Sequence, residues 1–513
     1  MAYTHVGREK NMFRIVIISM VVVLLGASLA LAEGGYKSNW SPTKPYKLIY
    51  NSDASAVMFR GTSAADYIHG NVGFLKNTNV DAVFWEGGGA GNVANYDSDI
   101  LELVGERIGK VTPLLQELIN GGNDPPKILV PEFHDRGVDV FFSYRLNDCH
   151  DSFGSPHVLP TFKLEHPEWL IGSGHPYGGK NQLNFAVPEV RDVKFDIVEE
   201  IFRKYDFDGL EIDLMRNVPY FIPGTEPQNA PILTQWLGRV RDHLNQRGIE
   251  RGRPIPLAVR VTETMEACQL DGFEIQTWVD QGLVDMIIVG NRVIDIEIEK
   301  FKAVTEGTDV QVYATLYAWP SGYNPISPEM ARGLATNYHY QGGDGIYTFN
   351  WNAHSYVHRP VESAEWAYQM ELLREVDDPE AMYGKAKMFP ADRGKPGRYN
   401  EAHQWLNAEL PVALSSGGDA DVPIMVGEDF TTGLPPGSIE LRATLEGLSG
   451  DDVLEMTLNQ EPLTGLQRSG NQISVFLEPD QLGLGLNEVG ISLLSGNLTV
   501  DRLEIHVSER IPE

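Results

Sequence analysis

Two carboxylates two residues apart, Glu211 and Asp213, stand in the run Phe207-Asp208-Gly209-Leu210-Glu211-Ile212-Asp213-Leu214-Met215-Arg216. Extended backbone turns successive side chains to opposite faces, so the two acids share one face while Leu210, Ile212 and Leu214 share the other. Acids on the inner face at the carboxyl end of a buried strand suit proton transfer and charge stabilisation at a substrate. The plainer alternative is a salt-bridged pair that braces an interior. A third acid, Glu263, ends the apolar run Pro256-Leu257-Ala258-Val259-Arg260-Val261-Thr262 and is the best candidate for a second catalytic carboxyl; its alternative is to cap the helix that follows. Arg145, Arg216, Arg260 and Arg292 stand at or just past the ends of four such runs. Guanidinium groups hold carboxylate and sulfate bidentately, which makes an anionic ligand one reading; pairing with Glu211, Asp213 or Glu263 to tune them is the other.

Strand signals that could position these residues recur at 46–51, 80–86, 138–145, 207–213, 255–262, 284–290, 310–317 and 345–350. Helical patterns are expected at 98–119, 191–204, 230–247, 272–281, 295–305, 328–340 and 364–376. Eight strands alternating with helices predict an α/β fold, a (β/α)8 TIM barrel with its site at the carboxyl ends of the strands. A doubly wound open sheet is the runner-up, without a glycine-rich phosphate loop after its first strand. Aromatic residues recur at the same end: Trp85 beside Glu86, Tyr144, Tyr317, Trp319 and Trp351. Flat rings suit the apolar faces of sugars, although each one alone is ordinary core packing. Asn51, Asn147, Asn291 and Asn350 are candidate hydrogen-bonding partners for hydroxyls. The long connection 146–188, with Trp169, Tyr177 and Phe185, predicts a packed cap beside the site. After residue 384, short alternating runs separated by Gly, Asp, Asn and Pro predict a small all-β sandwich at 385–513, following a barrel at 33–384.

The chain has 513 residues, 42% of them hydrophobic, and a formal net charge of −30. Such a balance describes a globular protein and argues against nucleic acid as partner. Arg8, Lys10 and Arg14 precede an apolar run that ends at Ala30-Leu31-Ala32, so residues 1–32 read as a signal peptide, with an uncleaved membrane anchor as the alternative. A secreted or periplasmic protein, free of the membrane after cleavage, is expected. Cys149 and Cys268 permit one disulfide at most. His150 and Asp151, or His354 and His358, would suggest a metal-dependent hydrolase, but no His-Glu-x-x-His signature completes a set. Neither metal nor cofactor is expected.

The segments His166-Pro167-Glu168-Trp169-Leu170, Leu183-Asn184-Phe185-Ala186-Val187-Pro188-Glu189-Val190-Arg191-Asp192 and Tyr205-Asp206-Phe207-Asp208-Gly209 resemble the bacterial family 10-like glycosyl hydrolases, as does Gly343-Asp344-Gly345-Ile346-Tyr347-Thr348-Phe349-Asn350-Trp351. The resemblance implies a secreted (β/α)8 glycoside hydrolase, with Glu211 standing where the family more usually has His. The strand motif also resembles that of family 18 chitinases, but Met215 occupies the position of their proton donor, and a thioether cannot donate a proton. Glycoside hydrolysis requires one carboxylic acid at the leaving oxygen and one carboxylate opposite. A resemblance to the α-amylase superfamily implies Asp213 as nucleophile or base and Glu263 as acid. The expected substrate is a poly- or oligosaccharide, uronate-containing or sulfated on the arginine reading. A carbohydrate-binding or surface protein on a degenerate barrel is the alternative.

Overall fold

The structure is a computed structural model that describes residues 45–53, 63–87, 91–351, 364–394 and 403–510. The segment 1–32 and the pair His354 and His358 lie outside the described residues.

Eight strands, Leu48–Ser52 (β1), Ala82–Glu86 (β2), Asp139–Arg145 (β3), Gly209–Asp213 (β4), Leu257–Val261 (β5), Met286–Val289 (β6), Gln311–Tyr317 (β7) and Gly345–Phe349 (β8), close in chain order into a parallel barrel. The closure is made by β1 on β8. This is the TIM barrel that the alternation of elements predicts, and the open sheet is excluded.

Alternation along each strand divides the apolar residues into two layers. Ile49, Phe84, Phe141, Ile288, Tyr313, Tyr347 and Phe349 fill the interior, while Leu210, Ile212, Val259 and Trp85 belong to the outer core between strands and helices. Gly209 faces inward: a Cβ there would lie 2.2 Å from the Phe141 ring, so the glycine makes room for an aromatic floor. The helices Pro188–Lys204 and Glu226–Arg251 flank β4 in the chain.

The expected helix at 98–119 is largely irregular: a single 3-10 turn stands at Glu106–Ile108, and the α-helix is confined to Pro113–Asn120. Gly105 and Gly109 adopt φ of 83° and 66°, which the α-helix does not accommodate, and Pro113 then opens the helix at its first turn. Helices at Ala64–Val72 and Pro125–His134 were not anticipated. Both cysteines are free and buried, so the disulfide that the sequence allows is not formed.

Beyond the barrel, antiparallel strands form two sheets. One has the order β10 (Val412–Ser415), β18 (Asn497–Val507), β12 (Ile439–Glu446), β16 (Gln472–Leu477), β15 (Gln467–Ser469), with β9 (Lys387–Pro390) also paired to β18. The other has the order β11 (Gly418–Val426), β17 (Gly485–Ser495), β13 (Val453–Leu458), β14 (Glu461–Pro462). Their buried faces share one apolar core that includes Leu441, Ile505, Val489 and Ile491. The sandwich is tied to the barrel by polar contacts: Asn337 donates to the Met425 carbonyl at 3.0 Å and Tyr323 donates to Glu504 at 2.8 Å.

Candidate active site at the carboxyl ends of the strands

Strand register sets the centre of the site. Glu211 lies beside Ser143 on β3 and Ala258 on β5, and one step onward Asp213 lies between Arg145 and Arg260. Arg260 clamps Asp213 with Nε to Oδ1 at 3.0 Å and Nη2 to Oδ2 at 2.8 Å, and the Met215 amide adds a third bond to Oδ1 at 3.0 Å. Both partners are essentially inaccessible, so this is a fully desolvated, bidentate ion pair. Glu211 sits one layer deeper, where it accepts a hydrogen bond from Ser143. Burial, reinforced by the Asp213 charge, pushes its carboxyl up to about 7.

The four arginines separate into roles. Arg260 belongs to Asp213, and its guanidinium lies 3.8 Å from the centre of the Phe349 ring. Arg145 reaches Asp53 at 3.3 Å and Glu86 at 3.8 Å. Arg216 lies 5.8 Å from the same Phe349 ring and pairs with Asp148 at 3.3 Å. Burial and the like charges of Arg145 and Arg292 lower the Arg216 guanidinium from its ordinary value, which places three of the cations within electrostatic reach of one another.

Glu263 follows the end of β5 and is buried. Its carboxyl accepts from the Thr262 hydroxyl at 2.7 Å and from the backbone N–H of Trp405 at 2.7 Å. Burial pushes it up to about 8 despite those two donors. The cross-strand neighbour of Asp213 is therefore Arg260, and Glu263 sits beneath the segment that leads into the sandwich.

The aromatic residues divide by strand parity. Tyr317 joins the interior cluster, with its ring 5.6 Å from Phe349 and 5.8 Å from Trp319, and its hydroxyl accepts from Asn350 at 3.4 Å. Trp85, Tyr144 and Trp351 do not join them, correcting the expectation that they line a sugar cleft. Trp85 alternates with the inward Phe84 and Glu86, so it packs outward against Phe142 and Phe207. Tyr144 alternates with Ser143 and Arg145 and packs against Phe142, with the Lys194 ammonium 5.2 Å from its ring centre. Trp351 follows Asn350, whose φ of 55° redirects the chain, and its indole donates to the Leu316 carbonyl at 2.9 Å. Asn147 is also fully occupied: it bonds both backbone groups of Leu183 and the Pro219 carbonyl, pinning the cap. Asn51 and Asn291 are buried, and Asn291 donates to the Met215 carbonyl at 3.4 Å.

The cap holds the aromatic residues named from the sequence, together with Asp148, which the sequence pattern did not single out. Phe185 is buried against Tyr220 and Trp236, Trp169 stacks on His166 at 4.1 Å, and Tyr177 donates to Glu226 at 2.7 Å. Asp148 bonds both His150 and Arg216, whereas Asp151 pairs with Lys163 at 3.2 Å. His150 and Asp151 thus serve different partners, and among the described residues no group of three or more His, Cys, Asp and Glu is placed to hold a metal ion. The signal for the first pair was the Asp-x-His spacing directly after β3.

Barrel and mouth together define a (β/α)8 architecture with a charged, aromatic-floored site at the carboxyl ends of its strands. Solved structures of similar fold include glycoside hydrolases. The glycoside hydrolase domain of PgaB from Bordetella bronchiseptica is 11% identical, with a TM-score of 0.43 over 65% of this chain and 99% of that one. A family GH18 chitinase from Chromobacterium violaceum is 10% identical, with a TM-score of 0.37 over 93% and 89%. The GH36 alpha-galactosidase AgaB from Geobacillus stearothermophilus is 12% identical, with a TM-score of 0.35 over 89% of this chain and 57% of that one. No protein-family description and no curated protein matches the sequence. Among the described residues, no helix is long and apolar enough to cross a membrane.

Proposed function

We propose that this chain is a secreted glycoside hydrolase acting on a poly- or oligosaccharide, of the family 10-like kind its motifs resemble. The observation that carries the reading is a difference in state between two acids past neighbouring strand ends. Asp213 is an ion-paired carboxylate under Arg260, while Glu263 keeps its proton up to about pH 8. Glycosyl transfer needs that division: a carboxylic acid to protonate the leaving oxygen and a carboxylate to oppose the positive charge of the oxocarbenium-like transition state. In this reading Glu263 donates and Asp213 stabilises the charge, with Glu211 one layer deeper on the same strand. Tyr317 and Trp319 offer apolar faces to a pyranose ring, and Arg145, Arg216 and Arg292 favour a uronate or sulfated sugar.

A non-catalytic carbohydrate-binding barrel is the second reading. It is favoured by the engagement of both Asp213 oxygens and of the Glu263 carboxyl with protein donors. Release of reducing ends from neutral, uronate-containing and sulfated polysaccharides, by wild type and by Asp213→Asn and Glu263→Gln, separates the two. Activity in wild type that both variants lose supports the hydrolase; binding without turnover in wild type supports the second reading. Equal turnover of neutral and anionic substrates would remove the arginine assignment.

A further inference from the structure

If the chain is a glycoside hydrolase, one task in the reaction lacks an obvious agent. Asp213 has Oδ1 taken by Arg260 Nε and the Met215 amide, and Oδ2 by Arg260 Nη2. A carboxylate so held can oppose positive charge, but it is poorly placed to collect a proton from an attacking water.

The loop that follows β3 carries an Asp–His pair. His150 Nδ1 lies 2.6 Å from Asp148 Oδ1, and the His150 backbone N–H donates to the same oxygen at 2.8 Å. The Asp148 side chain is buried; burial works against its charge, but the bond to His150 and the nearby Arg216 and Arg145 hold its carboxyl well below the usual carboxylate range. The other ring nitrogen, Nε2, lies 3.0 Å from Arg216 Nη2. A guanidinium has donors and no acceptor, so Nε2 must present a lone pair, and the proton of the ring resides on Nδ1 facing Asp148. The hydrogen bonds thus fix a single tautomer with its basic nitrogen turned away from the buried acid. The imidazole is 43% exposed, in contrast to Asp148, Asp213 and Glu263. Arg216 and Arg260 lie 5.8 and 3.8 Å from the same Phe349 ring, so the guanidinium on His150 and the one on Asp213 meet across a single aromatic side chain.

We propose that His150, oriented by Asp148, is the general base of this site, with Arg216 occupying Nε2 until substrate arrives. The proposal rests on the glycoside hydrolase reading. Water attacks the anomeric carbon and its proton passes to His150 Nε2, forming the new C–O bond. The glycosidic C–O bond breaks, and the leaving oxygen takes the proton of Glu263. The imidazolium then returns its proton to Glu263 through solvent, restoring both groups. Asp148 is a positioning residue: it holds the tautomer and faces the charge that appears on the ring. A sugar carboxylate or sulfate that draws Arg216 to itself would free Nε2 as it binds, coupling recognition of an anionic substrate to the readiness of the base.

Direct attack by water inverts the anomeric configuration. The test is therefore proton NMR of the first product formed by wild type on whichever polysaccharide it cleaves, with kinetics of His150→Gln, His150→Gly and Asp148→Asn. Inversion is expected, with kcat falling about 10²- to 10⁴-fold in His150→Gln, KM changing little, and free imidazole restoring part of the activity of His150→Gly. Asp148→Asn should lower kcat less, without imidazole rescue. Retention of configuration, read on wild type alone, overturns the proposal whatever the variants do. So does a His150→Gln enzyme with the kcat of wild type, and in either case the hydrolase reading survives. Absence of any wild-type hydrolysis removes that reading and the base with it.

Discussion

Arg260→Met is the substitution by which the buried pair at the centre of the site can be weighed. Methionine replaces most of the arginine stem, so little volume is lost, but Asp213 is left in the interior without its bidentate partner. Breaking a buried pair on one side costs about 3–5 kcal/mol, because an uncompensated charge remains. An independent bound comes from protonation: carrying a carboxyl from its ordinary value near 4 to pH 7.5 costs about 5 kcal/mol at about 1.36 kcal/mol per unit, after which the group escapes the penalty by taking up a proton. Loss of the guanidinium from the Phe349 face, 3.8 Å away, adds up to about 2 kcal/mol. The expected deficit at pH 7.5 is thus about 3–7 kcal/mol, shrinking as the pH is lowered because a protonated carboxyl needs no counter-charge. Equilibrium urea unfolding of wild type, Arg260→Met and Asp213→Asn/Arg260→Met at pH 7.5 and 5.5 measures it. The double variant should recover most of the loss, since with both charges gone neither is stranded. A single-variant deficit below about 1 kcal/mol, or a double variant no better than the single, would refute the reasoning.

Glu263→Gln should alter how stability depends on pH. The fold holds the Glu263 proton to about pH 8 while the unfolded chain releases it near 4.5, so folding takes up a proton in that window and wild-type stability falls as pH rises through it. The variant should lack this slope, which chemical denaturation across pH 4.5–8.5 would detect. Burial pushes the Cys149 thiol up to about 12 and raises that of Cys268 well above its ordinary value, so a thiol reagent should find neither in the native protein and both after denaturation. Absence of any reactive thiol in denaturant would revive a disulfide. Gly91 has φ of 67°, and a Cβ on it would lie 1.8 Å from the Arg145 carbonyl. Gly91→Ala should therefore cost more than about 1 kcal/mol and displace the chain past β2, and a melting temperature equal to that of wild type would contradict the close approach.

The barrel was legible because its strands are short apolar runs and because helical patterns separate most of them. Within the mouth, legibility depended on parity. Trp85 and Glu86 are adjacent in a strand, as are Tyr144 and Arg145, so only one of each pair can face inward; treating both as mouth residues overlooked that constraint. The position of Trp351 was not available from parity at all, since the left-handed backbone at Asn350 redirects the chain just before it. The helix opened by proline at Pro125 was hidden because a residue usually read as a breaker is also favoured at the first helical position. Asp148 was obscured by its place in a long loop, where no periodicity marks the partners, and His150 read as a candidate metal ligand because only tertiary packing brings Arg216 to it and to Asp148.

Glu263 bears on both lessons, because the segment that covers it comes from far along the chain. Trp405 adopts φ of 60°, unusual for so large a side chain, and gives its backbone N–H to Glu263 while its indole donates to Ser321 at 3.2 Å. His403 and Asn407 fasten the same segment to Asp271 at 2.6 Å and Glu297 at 3.2 Å. A proton donor must reach the leaving oxygen, so a catalytic Glu263 requires this segment to yield during turnover, whereas a structural Glu263 requires it to stay. Trp405→Phe discriminates between these roles. It keeps the ring and the backbone N–H but removes the indole bond, weakening the closed state by about 1 kcal/mol, a factor of roughly five in the open population. If opening precedes proton donation, kcat should rise by up to that factor while the unfolding midpoint falls slightly. A kcat that stays level or drops would show that the segment is part of the working site, and that Glu263 acts, if at all, from beneath it.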